Sequence, residues 1–230
     1  MSGHDAEMSR QQQARREEVA RNDRALLQAA RRVFSRDGAH ASVSSIAEAA
    51  GVGVGTLYRR YESKTALFER LLVLANEQWA DAVSRAHSAA DPWTGLSTLV
   101  VESIEYGQGT LSALGRLVHV PARLNALMTR ADEEFHELID RAHADGGLAA
   151  DVTAADVLLL IEQYARSPLV EQITDLDDPE LLKSARTTRR RLITIALNGL
   201  RRREHEALPA PAPTSTLLTA RWTGPDRSST

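Results

Sequence analysis

A chain of 230 residues with a formal net charge of −3 and no cysteine can hold one or two domains, and it has neither a disulfide framework nor a thiolate metal site. No apolar run reaches the length of a membrane span, and the opening MSGHDAEMSRQQQARREEVARNDR lacks the apolar segment of a secretory signal, so the expectation is a cytoplasmic protein. The charge is unevenly spread: residues 1–61 hold ten Arg against seven Asp/Glu, and the remainder is acidic. A basic head on an acidic body suits a polyanionic partner.

Residues 1–21 are polar, rich in Gln and Arg and aperiodic, and read as a disordered arm. From Asn22 the pattern is helical. Leu26, Ala29, Ala30, Val33 and Phe34 recur at helical spacing, and Gly38 is placed to cap the run. A short helix opens at Ser42 or Ser44, either of which suits an N-cap, with Val43, Ile46, Ala47 and Ala50 inward. Another covers Val54 to Arg60. Ser63 then caps a long helix with Leu67, Phe68, Leu71, Leu72, Trp79 and Val83 on its apolar side.

Asp91-Pro92 is an N-cap with Pro at the first helical position, opening a helix to about Tyr106. A shorter helix is expected near Leu111–Val118. Pro121 starts another, stopped by Gly146-Gly147, and Thr153 caps one that Ser167-Pro168 ends. Pro179 opens the last, to about Glu204. The tail 205–230 is rich in Pro, Thr and Ser and reads as extended. No segment alternates with period two, so the chain is read as all-α. The divisions are an arm (1–21), a compact head (22–62), a helical body (63–204) and the tail (205–230).

The stretch SVSSIAEAAGVGVGTLYRRYESK, residues 42–64, places two short helices around Gly51. Gly51 can take the positive φ of a sharp turn. Ile46, Val52 and Leu57 are apolar and positioned to lock the pair onto the first helix. This is the pattern of a helix-turn-helix, whose second helix enters a major groove by its N-terminal end. Gly53 and Gly55 at that end permit close approach of backbone N–H groups to phosphate, with Tyr58, Arg59 and Arg60 following to hold the DNA backbone. A dinucleotide loop is the rival for the glycines, but Thr56 stands where a third glycine is needed and no strand precedes it.

With AARRVFSRDG, SVSSIAEAAGV and GTLYRRYESKTALF in this order, residues 22–68 resemble the DNA-binding domain of the TetR family of transcriptional repressors. The resemblance implies an N-terminal three-helix helix-turn-helix DNA-binding domain, followed by a C-terminal helical ligand-binding and dimerisation domain. It implies DNA contacts by Ser42, Ser44, Val54, Thr56, Tyr58 and Lys64, to which the reading of the residues above adds Gly55 and Arg59. Tyr58 matches a phosphate-contacting position and Lys64 the lysine that opens the fourth helix. Two departures stand out: Gly53 replaces a common capping Ser, and Val54 replaces a frequent polar residue, so its readout becomes an apolar contact.

The implied function is that of a homodimeric regulator of a palindromic operator, a repressor released by a small-molecule ligand, with no enzymatic activity, cofactor or membrane partner. A dimer seam is expected from Leu158 and Ile161 on one helix and Leu192, Ile195 and Gly199 on the last. Trp79, Tyr106, His119, Arg123, Phe135 and Tyr164 combine aromatic bulk with polar tips and are the candidate pocket. One alternative is a DNA-binding regulator controlled by a protein docked on the tail. Another is a metal-dependent helical-bundle enzyme. Asp132, His136, Asp140 and His143 share a helix face, and Glu133 and His136 have the E-x-x-H spacing of a di-iron helix. The required second copy of that motif is missing, so no metal is expected.

Overall fold

The computed structural model describes residues 3–37, 40–107, 109, 111, 122–167, 169–174, 176, 178–201, 208 and 211–214. The described residues are helical, apart from turns, loops and one isolated antiparallel bridge between Leu148 and Arg201. The chain divides into two compact units, Met1–Leu67 and Phe68–Thr230.

The first unit is built from α1 (Gly3–Asp37), α2 (Val43–Ala50), α3 (Val54–Arg60) and the start of α4 (Lys64–His87). α1 begins at Gly3, so the stretch expected as a disordered arm is helix continuous with the first core helix. Its Gln, Arg, Glu and Ala are strong helix formers, and no Pro or Gly interrupts them after the start. The apolar face begins where the periodicity places it, with Leu26, Leu27, Ala29, Ala30, Val33 and Phe34 buried. Each large side chain among these contributes roughly 1.5–3 kcal/mol by leaving water. Gly38, the expected cap, lies outside the described residues.

The second unit holds the remainder of α4, then α5 (Pro92–Glu105), α6 (Ala122–Ala144), α7 (Ala154–Ala165), α8 (Leu169–Thr174) and α9 (Pro179–Leu200). Local chemistry sets the starts. Asp91 caps α5 by accepting from the Thr94 N–H at 2.7 Å. Thr153 and Asp156 form a reciprocal capping box on α7. Asp178 accepts from the N–H groups of Glu180 and Leu181, both at 3.0 Å, ahead of Pro179. α6 ends at Ala144, where Gly146 turns at φ 76°. α8 has no counterpart in the sequence reading, and the helix expected near Leu111–Val118 lies almost wholly outside the described residues.

α5 is central, packing on α6, α7 and α9. It approaches α4 so closely that a β-carbon on Gly95 would stand 2.4 Å from the Ala86 carbonyl oxygen. Arg141 of α6 donates to the Ala89 carbonyl at 2.9 Å, just past the end of α4. At the other end of α9, the Ala149 N–H donates to the Leu200 carbonyl at 2.9 Å and the Arg201 guanidinium lies 5.1 Å from the centre of the Trp93 ring. Within the tail, the Leu208 N–H reaches Asp151 at 3.3 Å.

Candidate nucleic-acid interface

Ser42, rather than Ser44, is the N-cap of α2. Its hydroxyl oxygen accepts from the Ser45 N–H at 3.0 Å and lies 2.8 Å from the Ser45 hydroxyl. That hydroxyl is therefore occupied in holding the helix, while Ser44 is exposed beside it. At the far end of α2, Gly51 takes φ 68° and ψ 28°. The Gly51 N–H donates to the Glu48 carbonyl and the Val52 N–H to the Ala47 carbonyl, both at 3.0 Å. This paired closure satisfies the last carbonyls of the helix and reverses the chain within two residues. Arg32 of α1 donates to the Ala49 carbonyl at 2.8 Å, placing a cation at the negative end of α2. Val52, expected to lock the pair, is instead 39% exposed at the corner of the turn. Ile46 and Leu57 are buried as expected.

α3 starts at Gly53, whose backbone is extended and which supplies no side-chain cap. Its Thr56 N–H is satisfied by the Gly53 carbonyl at 2.8 Å. Only Leu57 of α3 is buried; Val54 is half-buried, and Gly55, Thr56, Tyr58, Arg59 and Arg60 are exposed. Nothing lies within 4 Å of where a Gly55 β-carbon would be, so this surface is open to close approach. Arg59 donates to the Thr56 hydroxyl at 3.0 Å, which holds both on one exposed face.

Arg60, though exposed, also has a partner inside the head: it pairs with Asp23 of α1, whose side chain is 6% exposed, and lies 5.5 Å from the centre of the Tyr61 ring. The reason is geometric: Asp23 occupies the buried stripe of α1, three residues before Leu26, and a carboxylate buried there requires a cation. An acidic residue at an apolar-stripe position was the available sequence signal for this partner. Lys64 opens α4 and is exposed, with the Ser63 hydroxyl accepting from the Ala66 N–H at 3.0 Å to cap the helix.

The other expected sites fall in the second unit. Trp79 and Phe135 are buried in its core with ring centroids 5.8 Å apart. Tyr164 packs on the same cluster, and Tyr106 is exposed at the end of α5. His119 and the side chain of Arg123 lie outside the described residues. Of the expected seam, Ile161 is 1% exposed within the chain's own core, because its stripe on α7 faces α5. Leu158 is half-buried against that core, while Leu192, Ile195 and Gly199 of α9 are exposed. His136 is 2.8 Å from the Asp132 carbonyl and His143 3.0 Å from the Val152 carbonyl, so backbone groups already engage both rings.

Residues 26–71 match the family model for bacterial regulatory proteins of the tetR family. No curated protein matches the chain. Among solved structures, a ketosteroid transcriptional regulator of Mycobacterium tuberculosis is 19% identical, with 77% of this chain and 94% of that one covered and a TM-score of 0.50. A TetR transcriptional regulator of Streptomyces coelicolor is 27% identical, with 78% and 98% covered and a TM-score of 0.48. The matched segment coincides with the capped turn and the outward-facing helix that follows it, and over these residues the chain is similar to the DNA-binding regulators of the tetR family.

Proposed function

We propose that the chain acts as a homodimeric repressor that leaves a palindromic operator when a small-molecule effector binds its helical body. The observation that carries this reading is an outward apolar stripe on α9. Leu181, Leu192 and Ile195 are 41%, 42% and 56% exposed, and a β-carbon on Gly199 would meet nothing within 4 Å. These positions share one helix face, and pairing it with a second copy removes that area from water. A two-fold dimer presents two copies of α3 to two half-sites.

On each half-site Val54 and Thr56 read base edges, and Gly55 admits the backbone. Tyr58, Arg59, Ser44 and Lys64 hold phosphates, and Ser42 supports them as the cap of α2. The proposed division is a DNA-binding domain at 22–62 and an effector and dimerisation domain at 63–204. Selection of bound duplexes from a random pool by the full chain, with sedimentation of the bound species, tests this. An inverted repeat bound by two chains is expected; a single asymmetric site bound by one chain would overturn it. In a reporter carrying the selected site, expression falls when the chain is present.

A further inference from the structure

α9 has a second distinctive face. Between it, the end of α5 and α8 runs an open groove of about 700 Å³, a size typical of small-molecule sites. Its apolar lining comes from Val170, Leu182 and the deeply buried Ile193. Around this lining stand Lys183, Arg186, Arg189 and Arg190 and, among the described residues, one carboxylate, Glu105. Two of the cations have structural ties: Arg189 donates to the Ile104 carbonyl at 2.9 Å and Arg190 to Glu105 at 3.0 Å. Lys183 and Arg186 are exposed. The groove is thus cationic in a chain whose net charge is −3. None of the aromatic residues expected to form a pocket lines it.

We propose that this groove binds an anionic amphiphile, a small molecule with one carboxylate or phosphate head on an apolar chain. The head lies between Lys183 and Arg186, which can give it charge-assisted hydrogen bonds, and the chain lies along Val170, Leu182 and Ile193. A sugar or a free inorganic anion leaves that apolar lining wet, and a neutral hydrocarbon leaves the cations unanswered. The helical repeat separates the two faces of α9: Lys183, Arg186 and Arg190 lie on the side opposite Leu181, Leu192 and Ile195. A ligand in the groove therefore bears on the same rod that carries the outward stripe. Its effect on DNA rests on the effector-responsive reading above; its binding does not.

The test is calorimetric titration of the full chain with decanoate, decyl phosphate and decanol. At least one anion is expected to bind, with decanol at least tenfold weaker. The double variant Lys183→Gln, Arg186→Gln is expected to bind that anion at least tenfold more weakly while its circular dichroism stays that of the parent. Binding of only one anion supports the proposal and identifies the head group. No binding by either anion, equal binding of decanol, or parental affinity in the double variant overturns it. Operator occupancy is measured in parallel. An anion that binds without releasing the operator leaves the groove standing and counts against effector release.

Discussion

Arg60, the last residue of the recognition helix, is paired with Asp23, 37 residues earlier in α1. One of two adjacent arginines thus fixes the helix to its support, while the other, Arg59, faces outward with Thr56. Arg60→Gln is expected to lower stability by about 1–3 kcal/mol, since it removes the cation paired with a buried carboxylate. The salt dependence of DNA binding should keep its slope, because no phosphate contact is lost. Lys64→Ala should do the reverse, leaving stability nearly unchanged and lowering the slope by about two per dimer. A reduced slope in Arg60→Gln would place that guanidinium on DNA.

Thr56 and Tyr58 sit on the exposed side of α3 but have different expected roles. Thr56→Ala should relax base preference at one symmetric pair of operator positions. Tyr58→Phe should weaken all sites alike, because a phosphate contact carries no sequence information. Sequencing of duplexes selected by each variant decides the matter, and a changed consensus in Tyr58→Phe would reverse the assignment.

Ile195 is 56% exposed and Ile161 only 1%, so the same substitution should act at two different levels. Ile195→Glu is expected to leave the fold of the single chain intact and to weaken the dimer by about 2–3 kcal/mol for each charge buried at the seam. Ile161→Glu should instead lower the melting temperature sharply, through an unpaired charge in the core. Sedimentation and thermal unfolding together separate these effects; an intact Ile195→Glu dimer would move the seam off this part of α9.

The Asp91 carboxyl is held below the ordinary carboxylate range by hydrogen bonds from Thr94, first through its side chain and then its backbone N–H, with a smaller pull from Arg201. A pKa lowered by folding stabilises the fold above the unfolded-state value, and that contribution is lost as pH falls through the lowered pKa. Asp91→Asn keeps the acceptor but not the charge. Its stability deficit relative to the parent should therefore be present at pH 7 and shrink as the solution is acidified, measured by denaturant unfolding at each pH.

Gly95→Ala should cost about 1–3 kcal/mol, because the new β-carbon meets the Ala86 carbonyl oxygen and neither backbone can yield cheaply. Gly55→Ala, with open space around it, should leave thermal stability unchanged while weakening DNA affinity. Loss of stability at Gly55 would argue for a structural glycine there instead.

The starts of α5, α7 and α9 were legible in Asp91-Pro92, Thr153 and Pro179, and the turn between α2 and α3 in Gly51. All depend on hydrogen bonds to partners a few residues away, or on one residue's own φ, so a short window of chain contains the whole cause. The recognition segment was legible for the same reason, its residues being ordered along one continuous stretch. The division of labour between Arg59 and Arg60 was not legible, because it turns on Asp23, a distant residue brought near by the packing of the head. Nor was it legible that Trp79 and Phe135, on two different helices, bring their rings to 5.8 Å of each other. Ile161 and Ile195 stand on similar apolar stripes of two helices. Periodicity assigns each a face, but whether that face meets α5 or solvent depends on the positions of other helices, which long-range packing sets.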